Sequence, residues 1–262
     1  MLPISSYPVN NRRTLKGVFS DIDDTLTNDG MLTATAYTAM ERVQQAGLLM
    51  IPITGRPAGW CDHIARMWPV DGVVGENGAF YFRYDRVQKK MIRRFLQSDD
   101  ERHQGRQKLS VLRDEILTAV PGAGIASDQF YREADLAVDF CEDVEPLPQG
   151  DIDTIVRMFK DAGATAKVSS IHVNGWFGDY DKLTMTKIMM TECFGVNLDS
   201  EKEHFTFVGD SPNDAPMFGY FPHAVGVANV ADFQGQMDAT PAYITSGRGG
   251  IGFAELADLL LK

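Results

Sequence analysis

Short apolar runs alternate with stretches of helical spacing at both ends of this chain, and that alternation constrains its fold most. Leu15 to Ser20, Leu48 to Ile53 and His204 to Val208 are apolar enough to be buried on both faces, and each ends at a polar turn. Gly72 to Gly75 and Ala224 to Ala228 are shorter runs of the same kind. Helical segments are predicted over Thr35 to Ala46, Ala58 to Met67, Lys182 to Phe194 and Gly252 to Leu261, with Gly47 and Gly195 standing behind two of them as C-caps. Strands buried on both faces and joined through helices make a parallel sheet with right-handed crossovers.

The middle of the chain reads differently. Ala79 to Phe82 and Lys89 to Phe95 are strand-like around a turn at Arg83 to Val87. Gln107 to Val120 places Leu109, Leu112, Ile116 and Val120 on one helical stripe, and Pro121-Gly122 breaks it. Leu136 to Phe140 is a strand, Ile152 to Ala162 a helix stopped by Gly163, and Ala166 to Val173 strand-like again. The expectation is an α/β fold in which a core of residues 1–83 and 179–262 is interrupted by an inserted α+β module over 84–178. A chain of 262 residues has room for both. Met1 to Arg13, polar and carrying Pro3 and Pro8, is expected to be a short, poorly ordered leader.

Charge and composition narrow the partners. Lys and Arg number 25 and Asp and Glu 36, a formal net charge of −11. Such a surface disfavours nucleic acid, which binds through a positive field. A small anion is still open to it, because a metal ion and a few aimed donors can hold a phosphate locally. No apolar run approaches the roughly 20 residues that span a bilayer, so no membrane partner is expected. Cys61, Cys141 and Cys193 are odd in number and lack metal-like spacing, which suggests reduced thiols in a cytoplasmic protein.

Four segments carry candidate chemistry: Asp21-Ile22-Asp23-Asp24-Thr25, Thr54-Gly55-Arg56, Lys182, and Gly209-Asp210-Ser211-Pro212-Asn213-Asp214. The first, second and fourth each follow a predicted strand, and the carboxyl ends of parallel strands form the ligand crevice of an open sheet. Taken singly, Asp210 reads as a cap or turn residue, Thr54-Gly55 as a turn and Lys182 as a solvated lysine. Taken together and in this order, they place several carboxylates at one edge. Asp21, Asp23 and Asp210 would repel one another there. A hard divalent cation relieves that repulsion, and oxygen-only ligands suit magnesium.

Val18-Phe19-Ser20-Asp21-Ile22-Asp23-Asp24-Thr25-Leu26 resembles the first motif of the haloacid dehalogenase superfamily, an apolar strand followed by DxDxT. Thr54, Lys182 and Gly209-Asp210-Ser211-x-Asn213-Asp214 are similar to its second, third and fourth motifs. Asp24 stands where that family commonly has Gly. The position of the insertion, with Thr54-Gly55-Arg56-Pro57 and Glu76-Asn77-Gly78-Ala79, resembles the subgroup called type IIB, which includes Cof-like, sucrose-phosphate, mannosyl-phosphoglycerate and phosphoglycolate phosphatases. The resemblance implies a Rossmann-like core with a cap, and a magnesium-dependent phosphatase acting on a small phosphorylated metabolite, a sugar phosphate or short organic phosphate. It implies Asp21 as nucleophile and Asp23 as general acid and then base. Metal ligands would be Asp21, Asp210 and the main-chain carbonyl of Asp23. Thr54 and Lys182 would serve the phosphoryl group, with Asn213 and Asp214 behind them.

Substrate contacts are expected from Gly55, Arg56 and Asn77, and from His172 and Asn174 near the module's exit, with Trp176, Arg132 and Glu133 as further candidates. The basic group Arg83, Arg86, Lys89, Lys90, Arg93 and Arg94 is either an anion site or a solvated hairpin face. A phosphomutase of similar fold is the alternative to a phosphatase. A non-catalytic binding protein on the same scaffold is disfavoured, since it would often lack Asp21 or a metal carboxylate.

Overall fold

The computed structural model describes residues 1–262. In chain order the first part contains β1 (Leu2–Pro3), α1 (Val9–Thr14), β2 (Gly17–Ser20), a flap of β3 (Thr27–Asn28) and β4 (Met31–Leu32), α2 (Ala34–Gln45), β5 (Leu49–Pro52), α3 (Ala58–Met67), β6 (Val73–Gly75), and the hairpin of β7 (Phe80–Asp85) and β8 (Lys90–Phe95). The inserted part contains α4 (Asp99–Ala119), β9 (Gly124–Ile125), β10 (Asp135–Asp139), α5 (Gln149–Asp161), β11 (Thr165–Val168) and β12 (His172–Trp176). The chain closes with α6 (Lys182–Phe194), α7 (Leu198–Glu201), β13 (Phe205–Gly209), α8 (Ala215–Tyr220), β14 (Val225–Gly226), β15 (Tyr243–Ile244) and α9 (Gly249–Leu260).

Six of these strands form one parallel sheet in the order β1-β15-β14-β13-β2-β5. A parallel bridge from Ile53 to Val74 attaches β6 beyond β5. Successive residues of a strand point to opposite faces, and β2 shows it. Val18 packs with Met40, Val43, Met50 and Phe253 on one side, and Phe19 with Ile51, Phe205, Phe207 and Met185 on the other. The sheet is thus covered on both faces, as its apolar strands required.

The inserted part has its own antiparallel sheet, order β11-β12-β10-β9, backed on one face by α4 and α5. Leu136, Val138 and Val173 pack against Leu112, Ile116, Ile155 and Phe159 of the helices. The alternate residues Asp135, Asp139, His172 and Asn174 are buried as well. In register, Asp139 pairs with His172 and Ala137 with Asn174. This second face is polar and is covered by the large sheet's loops.

Four expectations need adjusting. Met1 to Arg13 is ordered: β1 pairs with β15, Ile4 and Tyr7 are buried, and the Tyr7 ring lies 5.1 Å from that of Tyr243 and 5.6 Å from that of His223. Two buried apolar side chains among polar ones leave no periodic signal. The helix expected from Gln107 begins at Asp99, where Ser98 and Glu101 form a reciprocal capping box. Its first turns are polar and show no stripe. Ala166 to Val173 is a hairpin, not one strand, because Ser169 turns the chain by accepting from the N–H groups of Ile171 and His172. Finally, Tyr84 falls inside β7, and the β7/β8 hairpin pairs with β6 and buries Phe80 and Phe82 in the core cluster. It therefore goes with the large sheet.

Replacing Tyr7 by Ala should destabilise the protein by about 3 kcal/mol, since it empties a fully buried aromatic site. Urea unfolding measures this, and a loss under about 1 kcal/mol would show that the leader contributes no docked structure.

Candidate active site

Three strand ends and one helix start meet at the carboxyl edge of the large sheet. Asp21 follows β2, Thr54 follows β5, Asp210 follows β13, and Lys182 opens α6. The Lys182 ammonium lies 2.7 Å from Asp21 Oδ1 and 2.8 Å from Asp214 Oδ1. Asp214 Oδ2 accepts from the N–H of Asp210 at 3.1 Å and that of Ser211 at 3.5 Å. Thr25 donates its hydroxyl to Asp210 Oδ1 at 3.0 Å.

Two glycines make these approaches possible. At Gly209 a Cβ would stand 2.3 Å from Asp214 Oδ2, so only a bare backbone lets that carboxylate fold under the strand end. Gly78 has φ +109, and a Cβ there would stand 2.1 Å from the carbonyl oxygen of Asp181. Asp181 is the N-cap of α6, accepting from Thr184 N–H, and the next residue is Lys182. The turn after β6 thus sets where the lysine enters the site.

The group is buried: Asp21, Asp210, Asp214 and Lys182 are each 5 % exposed or less. Three carboxylates face one ammonium. Burial pushes Asp21 up to about 8 even though Lys182 pulls it down, and burial together with Asp21 and Asp214 raises Asp210 well above the carboxylate range. Burial works against the charge on Lys182, but Asp21 and Asp214 outweigh it and hold the ammonium charged. One oxygen from each of Asp21, Asp210 and Asp214 lies within 4.8 Å of the others. Both oxygens of Asp214 are already engaged. Asp21 and Asp210 each keep Oδ2 without a protein donor. An excess of buried negative charge with two free oxygens fits a hard divalent cation.

Asp23 is held separately. Arg56 Nε lies 3.0 Å from both its oxygens, and Arg56 Nη2 lies 2.8 Å from Oδ1. The same guanidinium reaches into the inserted part, to Glu142 at 2.9 Å and Asp128 at 3.3 Å, and its other face lies 4.5 Å over the Trp60 ring. Arg132 answers from the opposite side, pairing with Asp128 and Asp135 and donating to the Gly55 carbonyl at 2.9 Å. Glu76 completes the joint. Its carboxylate accepts from Ala58 N–H at the start of α3 and from the N–H groups of Glu133 and Ala134. Asp139 accepts from the N–H groups of Cys141, Glu142 and Asp143, and that turn presents Glu142 to Arg56 and to His172 at 2.8 Å.

Most of the expected site residues converge on one cavity. Asp21, Asp23, Gly55 and Arg56 form its floor, with Asn213 at the side. Arg132, His172 and Asn174 form its roof, Asn174 donating to Asp135 at 2.9 Å. With a volume of about 20 Å³ it takes about one water molecule. The inserted part must therefore move to admit anything larger. Thr54 and Asn77 lie outside this lining. The Thr54 hydroxyl accepts from Arg56 N–H at 3.0 Å, and the Asn77 amide packs against Gly55. Trp176 stacks on Tyr180 within the core, and Glu133 pairs with Arg106. The basic hairpin is a solvated face: Arg93 pairs with Asp62, Arg94 with Glu192, and Lys89 and Lys90 are exposed.

Glu76 as a joint residue, with Asp128, Asp135 and Glu142, escaped the sequence reading. Asp135 and Asp139 did leave a trace, as charges at alternate positions around the apolar Leu136 and Val138, which mark a strand with a polar buried face.

Residues 18–104 match the family described as haloacid dehalogenase-like hydrolase. No curated protein matches the chain. Among solved structures it is similar to the C-terminal domain of trehalose-6-phosphate phosphatase from C. albicans, at 16% identity over 99% of this chain and 98% of that one, TM-score 0.73. It is similar to the sucrose-phosphatase of Synechocystis sp. PCC6803, at 16% identity over 94% and 98%, TM-score 0.64. It is also similar to a haloacid dehalogenase subclass IIB sugar phosphatase, at 15% identity over 94% and 98%, TM-score 0.62. At these identities the likeness is one of fold, and it spans both the large sheet and the insertion.

The joint should be sensitive to acid. The hydrogen bond from His172 and the pair with Arg56 outweigh partial burial and hold Glu142 down to about 2, from an ordinary 4.5. A depressed carboxyl contributes stability that is present above pH 4.5 and lost as pH falls toward 2, because only the unfolded chain binds the proton in that window. Unfolding free energy should decline over that range, and Glu142→Gln should flatten the decline. An identical slope in the two proteins would show that Glu142 is not held this way.

Proposed function

We propose that this haloacid dehalogenase-like hydrolase cleaves small phosphate monoesters by way of a phosphoryl group carried on Asp21. The observation that carries the reading is the state of the Asp21 carboxylate. It is buried at the wall of the cavity, with one oxygen on Lys182 and the other without a protein donor. In the first step that free oxygen attacks phosphorus, the bond from phosphorus to the alcohol oxygen breaks, and Asp23 gives its proton to the departing alkoxide. In the second step Asp23 takes a proton from water as the water attacks the aspartyl phosphate, which returns Asp21. The pairing of Asp23 with Arg56 fixes the position of its carboxyl group.

Lys182 places positive charge beside the transferring group, where positioning and electrostatics supply most of the catalysis. Thr54 donates its hydroxyl to a phosphoryl oxygen once the cavity has opened. Asp214 keeps Lys182 in place and Asn213 lines the side. Asp21, Asp210 and the main-chain carbonyl of Asp23 would hold magnesium, which would supply positive charge against the repulsion between the nucleophile and the phosphate dianion. His172 and Asn174, on the roof, contact the substrate when the insertion, acting as a cap, closes. Sugar phosphates and short organic phosphates are the compounds to screen first, since solved structures similar to this chain include a sucrose-phosphatase and a sugar phosphatase. The three unpaired cysteines suit a reducing, cytoplasmic setting.

Phosphate release from such a panel should stop after thorough chelation and return with magnesium, and return poorly with calcium, whose looser shell misplaces the nucleophile. Undiminished release without metal would overturn the metal's part. Asp21→Asn should keep the fold and lose nearly all turnover. If the folded variant kept more than about a tenth of it, a barrier change of about 1.4 kcal/mol or less, Asp21 would not be the nucleophile.

A further inference from the structure

Asp23 faces two spaces of very different size. One is the cavity of about 20 Å³ that Asp21 also lines, and the other is a groove of about 580 Å³. Asp23 lines both. The groove is walled by Ile22 and Leu32 beside the flap, by Trp60 and Trp68 from α3 and its end, and by Tyr131 from the insertion. Trp60 is 43% exposed and Tyr131 52%. Tyr131 is nonetheless seated, because a Cβ added to Gly59 of α3 would stand 2.8 Å from its own Cβ.

The groove has little to offer a polar ligand. Thr27 Oγ1 is already bonded to Asp24 N–H and lies near the Ile22 carbonyl. No lysine or arginine lines it. The nearest guanidinium, Arg56, is committed to Asp23, Asp128 and Glu142. The exposed His63 imidazole is its one other polar side chain besides Asp23, Thr27 and the aromatic N–H and O–H groups, so a second anionic group or a polyol would find few partners. Aromatic faces and aliphatic side chains make up most of the wall, and a space of this size takes a small organic group.

The geometry points to this groove as the site of the leaving group, and to monoesters of aromatic or aliphatic alcohols with a broad apolar face as the substrate class. The argument rests on the phosphatase reading, in which the departing oxygen must come within hydrogen-bond reach of Asp23. The alcohol attached to that oxygen must then occupy a space adjoining Asp23, and the groove is the one with room. Discrimination between alcohols is then shared between the insertion, through Tyr131, and α3 of the large domain, through Trp60. The sequence had pointed instead to Gly55, Arg56 and Asn77 of the core and to His172 and Asn174 of the insertion.

Phosphate release by the full chain with magnesium is compared for 1-naphthyl phosphate, glucose 6-phosphate and glycerol 3-phosphate. The naphthyl ester should show at least tenfold higher kcat/KM than either polyol ester, and Trp60→Ala and Tyr131→Ser should each lower that ratio at least fivefold. Separately, 4-nitrophenol should quench tryptophan fluorescence saturably, and at least fivefold more weakly in Tyr131→Ser, which keeps every tryptophan. Turnover of the polyol esters at equal or higher efficiency, with no saturable quenching, would overturn the groove while leaving the phosphatase reading intact. Saturable quenching without phosphate release from any ester would overturn the phosphatase reading, and the leaving-group assignment with it.

Discussion

One buried ammonium set against three buried carboxylates is the constraint around which the rest of this structure is arranged. Lys182 has two of them as direct partners, and the third, Asp210, accepts from the Thr25 hydroxyl while its main-chain N–H donates to Asp214. Removing so many charges from water is costly unless each has a fixed partner. The sheet supplies that fixity. β2 and β13 are adjacent, so the loops bearing Asp21 and Asp210 start side by side, and α6 brings the lysine to them at its first residue. Charge that the lysine leaves unmatched is what a divalent cation would neutralise.

The second charge network has a different character. Arg56, Arg132 and Glu76 tie the insertion to the large domain through carboxylates and backbone N–H groups, beside an apolar contact in which Ala134 and Trp176 join the large sheet's core cluster. Truncating one partner of such a network leaves the other charges buried without a partner, so its members are not independent. Water can solvate both halves of a broken ion pair, and the cavity between the two parts has a volume of only about 20 Å³.

Much of the candidate site at the sheet edge was legible in the sequence because each component is local. Apolar strands end at Asp21, Thr54 and Asp210, and a lysine opens a helix. Such patterns survive without knowledge of what packs on what. The joint was not legible as a joint, because Glu76, Asp128 and Glu142 each also bond to residues distant in sequence, and only Asp135 left a trace through strand alternation. The aromatic groove was hidden for the same reason: Leu32, Trp60, Trp68 and Tyr131 come from three segments with no common spacing. The ordered leader was missed because its docking depends on two side chains, Ile4 and Tyr7, whose partner surface forms only when β15 is in place.

The four residues from Gly75 to Gly78 are each held by a separate physical demand. A Cβ on Gly75 would stand 2.3 Å from the Phe80 ring and 2.7 Å from Cys61 Sγ. Both oxygens of Glu76 are engaged by backbone N–H groups from two domains, at a φ of +42. Asn77, at φ +53, occupies the left-handed region that few side chains tolerate, and Gly78 gives way to Asp181. None of the four lines the cavity. Substitution at these four positions is accordingly opposed by geometry, although none of them carries a reactive group of the site.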